Sequence, residues 1–99
     1  MGERIRSILV EAESLVHGAR NGTYGNPKQD YERTVNLFKI LMGDKKVTDM
    51  TPEDGITFMI CVKLSREAFM HKRDNLVDVA GYCECLDWSH DEGVANAKE

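Results

Sequence analysis

Lys63-Leu-Ser-Arg66, and beyond it Asp74-Asn-Leu-Val-Asp78-Val-Ala-Gly-Tyr82, decide the fold of this chain. Both read as helix, joined near His71-Lys72-Arg73, with a cationic pair on the first helix and an acidic pair on the second. Lys63 and Arg66 share a stripe with Ile56, Met59 and Met70, so two charges lie on a mainly apolar face. Charges withdrawn from water must be paired or bind something, because a bare buried ion costs several kcal/mol. On the second helix Asp74, Asp78 and Tyr82 follow at i, i+4 and i+8, and Leu76, Val79, Cys83 and Leu86 take another arc. An antiparallel pairing is expected to bring Arg66 level with Asp78, and Lys63 level with Tyr82.

Working outward, Thr51-Pro-Glu-Asp54 is helix-start chemistry, with Thr51 as N-cap, Pro52 in the first helical position and acids in the first turn. The helix it opens runs to about Phe69 and is apolar nearly all round from Ile56 to Val62, which marks it as central. His71-Lys72-Arg73 ends it with favourable positive charge. The next helix spans Asp74 to Trp88, and a small, polar, frayed tail follows over 91–99. Upstream, Lys28 to Met42 fits a helix burying Tyr31, Val35, Phe38, Leu41 and Met42, with Glu32, Arg33 and Lys39 mostly outside. Gly43 stops it, and the Lys45-Lys46 pair in the following link reads as solvated surface. Residues 3–18 carry Ile5, Ile8, Leu9, Ala12, Leu15 and Val16 at helical spacing, and Glu11 and Glu13 read as surface acids. The expected fold is therefore all-α: a compact bundle of about four helices, oligomeric, with residues 1–90 as one domain and 91–99 as a flexible tail.

Between the first two helices, Arg20-Asn-Gly-Thr-Tyr24-Gly-Asn-Pro27 cannot continue a helix. Gly22 and Gly25 permit positive φ or close approach of a ligand, and Tyr24 offers a flat π-face. Two readings stand side by side: a ligand loop in which Tyr24 stacks on a base beside Arg20, or a capping turn in which Tyr24 closes the end of the bundle. A chain of 99 residues with 13 Lys and Arg against 17 Asp and Glu has a net charge of −4, the wrong sign for tracking DNA or RNA. A small anionic ligand needs only a local basic cluster. Cys61, Cys83 and Cys85 lack zinc spacing and fall in apolar helical segments, so they read as reduced core thiols of a cytoplasmic protein. No apolar run is long enough for a membrane span. So short a chain buries a modest fraction of its surface, which points to self-association into a dimer or larger.

Lys-x-x-Arg near the end of an apolar helix, followed by Asp-x-x-x-Asp-x-x-Gly-Tyr, resembles the all-α nucleotide pyrophosphohydrolase superfamily, the MazG-like and dimeric-dUTPase group. More closely, it resembles small phage-encoded relatives of that group, which also carry an Arg-x-x-x-Tyr-Gly-x-Pro loop like Arg20 to Pro27 here. The resemblance covers about Ile5 to Leu86 and implies an oligomeric helical bundle with a nucleotide pocket between helices. The hydrolytic members hold Mg²⁺ with Glu-x-x-Glu on one helix and Glu-x-x-Asp on the next. Here those positions read Lys63-x-x-Arg66 and Asn75-x-x-Asp78.

That exchange alters the chemistry expected. Asp74 and Asp78 supply few oxygens for an octahedral Mg²⁺, and Lys63 and Arg66 repel a divalent cation while attracting phosphate. The residues then expected at a ligand are Arg20, Tyr24, Lys63, Arg66, Asp74, Asp78 and Tyr82, with no catalytic residue, metal or cofactor. The function expected is binding of a nucleotide or cyclic nucleotide signal without hydrolysis, as a phage protein would do to withdraw a messenger from host defence. The runner-up is a Mg²⁺-dependent pyrophosphohydrolase, and a third class is a helical protein–protein interaction module. Competing with all three is a purely structural role, in which the same charges are interhelical pairs that fix the register of the bundle.

Overall fold

The computed structural model describes residues 7–18, 22 and 25–98, with side chains as far as 92. The fold is an all-α helical bundle, with four helices among the described residues: α1 Ile8–His17, α2 Pro27–Met42, α3 Pro52–Phe69 and α4 Arg73–Lys98. A single 3₁₀ turn, Val47–Asp49, lies between α2 and α3. Helix α3 packs against both α2 and α4 and forms the middle of the bundle.

Three of the four helix starts are explained by local chemistry. Ser7 caps α1, its Oγ accepting from Val10 N at 3.1 Å. Asn26 caps α2, its Oδ1 accepting from Lys28 N at 2.8 Å ahead of Pro27 in the first turn. Helix α3 opens with the expected Thr51 cap, completed into a reciprocal box. Asp54 N donates to Thr51 Oγ1 at 3.3 Å, and Thr51 N donates to Asp54 Oδ2 at 3.0 Å. Gly43 ends α2 at φ +62°, its N–H donating to Lys39 O.

The core is small. Cys61 and Val62 are buried on α3, and the ring of Phe38 meets that of Phe58 edge-on at 5.1 Å. Thr34 is fully buried on α2, its hydroxyl donating to Asp30 O at 3.0 Å.

Several expectations are corrected. On α2 the inward face is set by Asp30 and Thr34, and Tyr31, Val35 and Leu41 are exposed. Arg33, expected outside, is part-buried against α3. An acid and a threonine read as surface residues until the partner of Asp30, Ser65 on another helix, is known. Cys83 and Cys85 are exposed, leaving Cys61 as the core thiol, its pKa raised by burial. Lys45 is no idle surface charge, since its ammonium pairs with Asp54 at 2.6 Å. Arg73 opens α4 rather than closing α3, which ends at Phe69. Helix α4 also continues past Trp88, where Trp88 Nε1 donates one turn ahead to Glu92 Oε1 at 3.2 Å. All of α1 is exposed, its apolar stripe included.

Candidate functional site

The polar residues of α3 are shared between its two neighbours. Toward α4, Lys63 Nζ lies 2.9 Å from Asp78 Oδ2, and Glu67 Oε1 accepts from Asn75 Nδ2 at 3.2 Å. Near the other end, Ser89 donates its hydroxyl to Glu53. The residue numbers in these pairs add to 141 or 142, so the antiparallel register is constant along the seam. The expected register, Arg66 with Asp78 and Lys63 with Tyr82, is off by nearly a turn. Its pivot was placed at Lys72, whereas α3 and α4 turn about His71, between Phe69 and Arg73.

Toward α2, the α3 side chains surround Asp30, which is 3 % exposed. Ser65 Oγ donates to Asp30 Oδ1 at 2.7 Å and lies 2.9 Å from Asp30 O. Arg66 Nε meets Asp30 Oδ2 at 3.4 Å. Arg33 Nε in turn donates to Ser65 Oγ at 3.2 Å, and its guanidinium stands 5.8 Å from the centre of the Phe69 ring. Gly25, at φ +80°, lies directly against that ring: a Cβ added there would come within 2.8 Å of Phe69 Cε1. The chain entering α2 is thus seated on the end of α3, and Gly25 takes the positive φ read for it, with the Phe69 ring, rather than a ligand, against it.

A third cluster closes the α3–α4 turn. Glu67 Oε2 lies 2.5 Å from His71 Nδ1, and Glu67 Oε1 accepts from Lys72 N at 3.1 Å. The bond to His71 is the main reason the Glu67 carboxyl sits below its ordinary pKa. Glu67 therefore works at the start of α4, accepting from the backbone N–H of Lys72 just ahead of the helix.

Of the residues singled out in the sequence, Lys63, Asp78 and Tyr82 lie along the α3–α4 seam, with Tyr82 part-buried and Asp74 exposed. Arg66 is on the same helix but turned to the α2 side, with Asp30. Arg20 and Tyr24 lie outside the described residues. The side chains of Lys63 and Arg66 are 16 % and 14 % exposed, so the expectation of two charges on an inward face holds, and each has an acid beside it. The residues missed are Asp30, Arg33 and Ser65. The spacing of Asp30 and Thr34, one turn apart on a helix with apolar neighbours, was the signal available. Among the described residues no three His, Cys, Asp or Glu side chains gather as a metal site requires. Nor is any described helix long and apolar enough to cross a membrane.

Comparison with known proteins adds the following. A family model described as "Domain of unknown function (DUF6378)" matches residues 7–88. The Gene 55 protein of Mycobacterium phage D29 is 35 % identical over 89 residues, covering 89 % of this chain and 56 % of its own length. The Gene 55 protein of Mycobacterium phage L5 is 37 % identical over 84 residues, covering 82 % of this chain and 51 % of its own length. The chain thus spans about half the length of the curated relatives it matches. No solved structure matches.

Proposed function

For a chain that belongs to the DUF6378 family, we propose binding of a nucleotide or nucleotide-derived signal, linear or cyclic, held without hydrolysis by a homo-oligomeric phage protein. The observation that carries this reading is the Lys63–Asp78 pair. Its cation is largely enclosed, yet the Asp78 side chain is 43 % exposed. An incoming phosphate can take the ammonium while the displaced carboxylate returns to water at little cost. Arg66 differs, because its partner Asp30 is buried and has no such exit. Lys63 is therefore the phosphate contact, and Arg66 holds α3 to α2 close beside it. Tyr82, part-buried one turn beyond Asp78 on α4, borders the same seam.

The likeness of Lys63-x-x-Arg66 and Asp74-x-x-x-Asp78-x-x-Gly81-Tyr82 to the MazG-like group supports a nucleotide as the ligand, and the Arg20–Pro27 loop supplies Tyr24 as a face for its base, with Arg20 beside it. The same likeness makes the replaced carboxylates an argument for sequestration over cleavage. Withdrawal of a host messenger by a phage is the use that fits. The similarity to two phage proteins supports that setting.

The test is incubation of the pure protein with a nucleotide panel, with and without Mg²⁺, then denaturation and identification of what is released. Intact nucleotide is expected, and Lys63→Met should weaken its binding by about 1.5–3 kcal/mol with little change in melting temperature. Monophosphate and pyrophosphate appearing with Mg²⁺ would replace sequestration by hydrolysis. Retention of nothing in the panel would leave the interaction module.

A further inference from the structure

Among the described lysines and arginines, Arg33, Lys63 and Arg66 are part-buried and the others are exposed. Lys63 and Arg66 each meet a carboxylate, that of Asp78 and that of Asp30. Arg33 meets none among the described residues. Its partners there are the hydroxyl and the backbone carbonyl of Ser65 and the Phe69 ring, all uncharged. Both oxygens of the nearby Asp30 carboxylate are engaged, one by Ser65 and the other by Arg66. Glu32, the neighbour in sequence, is exposed and stands about 100° round the helix. A guanidinium drawn partly out of water without a carboxylate lacks a counter-charge, because neutral acceptors replace only part of its hydration.

The same contacts fix its shape. Nε donates to Ser65 Oγ at 3.2 Å and Nη2 stands 3.5 Å from Ser65 O, which pins the guanidinium along its Nε–Nη2 edge. The Nη1 side has no partner among the described residues, and the Phe69 ring beside the group is 44 % exposed, so the place is open to solvent. A guanidinium held by one edge presents the other as a fork of parallel N–H donors, the geometry that grips two oxygens of one anion. Being already pinned, it loses little side-chain freedom when it does so. The place is distinct from the α3–α4 seam. Ser65 faces α2 and Lys63 faces α4, two residues apart and so about 200° round α3.

We propose that the junction of α2 and α3 is an oxyanion site, in which the Arg33 fork, held in place by Ser65 and the Phe69 ring, takes two oxygens of a phosphate or carboxylate group. The fork fits either group, since each offers a pair of oxygens at the spacing of its donors. The bound anion supplies the counter-charge that Lys63 and Arg66 obtain from Asp78 and Asp30. This site is independent of what the α3–α4 seam binds.

The experiment titrates the full chain, labelled with nitrogen-15, with sodium phosphate, pyrophosphate or acetate at fixed pH, sodium chloride holding the ionic strength constant. The readout is the Arg33 Nε–H resonance, assigned by its loss in Arg33→Lys. A saturable shift of that resonance is expected, the same in Lys63→Met, with the backbone amides of Ser65 and Phe69 moving alongside it. By calorimetry, Arg33→Lys should bind the same anion at least about ten-fold more weakly, because lysine keeps the charge and loses the fork. Saturation by the two phosphates alone makes a phosphoryl group the ligand, and saturation by acetate alone makes it a carboxylate. An Arg33 resonance that stays still up to tens of millimolar of all three anions would overturn the proposal. So would a shift that disappears in Lys63→Met, which would place the anion in the seam, or an Arg33→Lys affinity equal to that of the unaltered chain. The titration of the unaltered chain decides the matter even where Arg33→Lys loses its fold.

Discussion

Asp30 shows how much one side chain can hold. Its carboxylate is enclosed, accepts from Ser65 and pairs with Arg66, while its backbone oxygen accepts from Thr34. Ser65→Ala should therefore cost about 1–3 kcal/mol in a urea melt, since it leaves Oδ1 of a buried acid without that donor. Asp30→Ala should cost more, about 3–5 kcal/mol, because it removes the buried carboxylate that both Ser65 and Arg66 meet. Gly25 makes the second residue-scale prediction. An alanine there meets both an unfavourable positive φ and the Phe69 ring, so Gly25→Ala should lower stability by at least about 1 kcal/mol. Phe69→Leu in the same chain should recover the steric part and leave the backbone part. These residues were only partly legible in the sequence. Gly25 announced itself between Tyr24 and Asn26, but Asp30 is an ordinary first-turn acid until the serine of another helix is placed on it.

Among the elements, α3 was the most legible, for its start chemistry and its apolar run are both local. Thr51→Ala removes the side chain of the capping box and should cost about 1 kcal/mol in thermal or urea unfolding. The same helix start predicts an acid response. Asp54 is held below its ordinary pKa, first by the hydrogen bond from Lys45 and then by Thr51 N–H. Glu53 is held below its own, first by the Ser89 hydroxyl, and Glu67 first by His71. The unfolded chain takes up protons before the folded one as pH falls. The stabilisation is therefore fully present above about pH 4–4.5, the ordinary carboxylate range, and is lost as pH falls through the lowered folded values. Urea midpoints measured from pH 7 to 3 should be flat at first and then decline, and Asp54→Asn should make the decline shallower. What the sequence did not reveal at this scale was rotation. Periodicity identified α2 as amphipathic, but its apolar arc and its buried arc differ by about a quarter-turn, because the polar Asp30–Ser65 contact, not the greasiest face, points at α3.

For the whole molecule, the all-α bundle and its helix order were readable because each helix has its own start or stop signal. The seam register and the α1 placement were not, since both depend on surfaces brought from elsewhere. If the chain is the homo-oligomer proposed, folding and association are linked by mass action. The melting temperature should then rise with protein concentration between about 1 and 100 μM, whereas a chain that completes its core alone melts at the same temperature throughout. Scanning calorimetry across that range distinguishes the two.

The constant pairing sum along α3 and α4 makes the turn between them a ruler. One residue inserted between Met70 and Arg73 would rotate α4 by about 100° and advance it by about 1.5 Å. Glu53–Ser89, Lys63–Asp78 and Glu67–Asn75 would all lose their partners together. Side-chain exchanges at Met70 or Lys72 change no residue count and so leave that register in place. Sequence drift in this turn is thus cheap and length drift is not, so gene variants that keep the bundle should vary in spelling there but never in count.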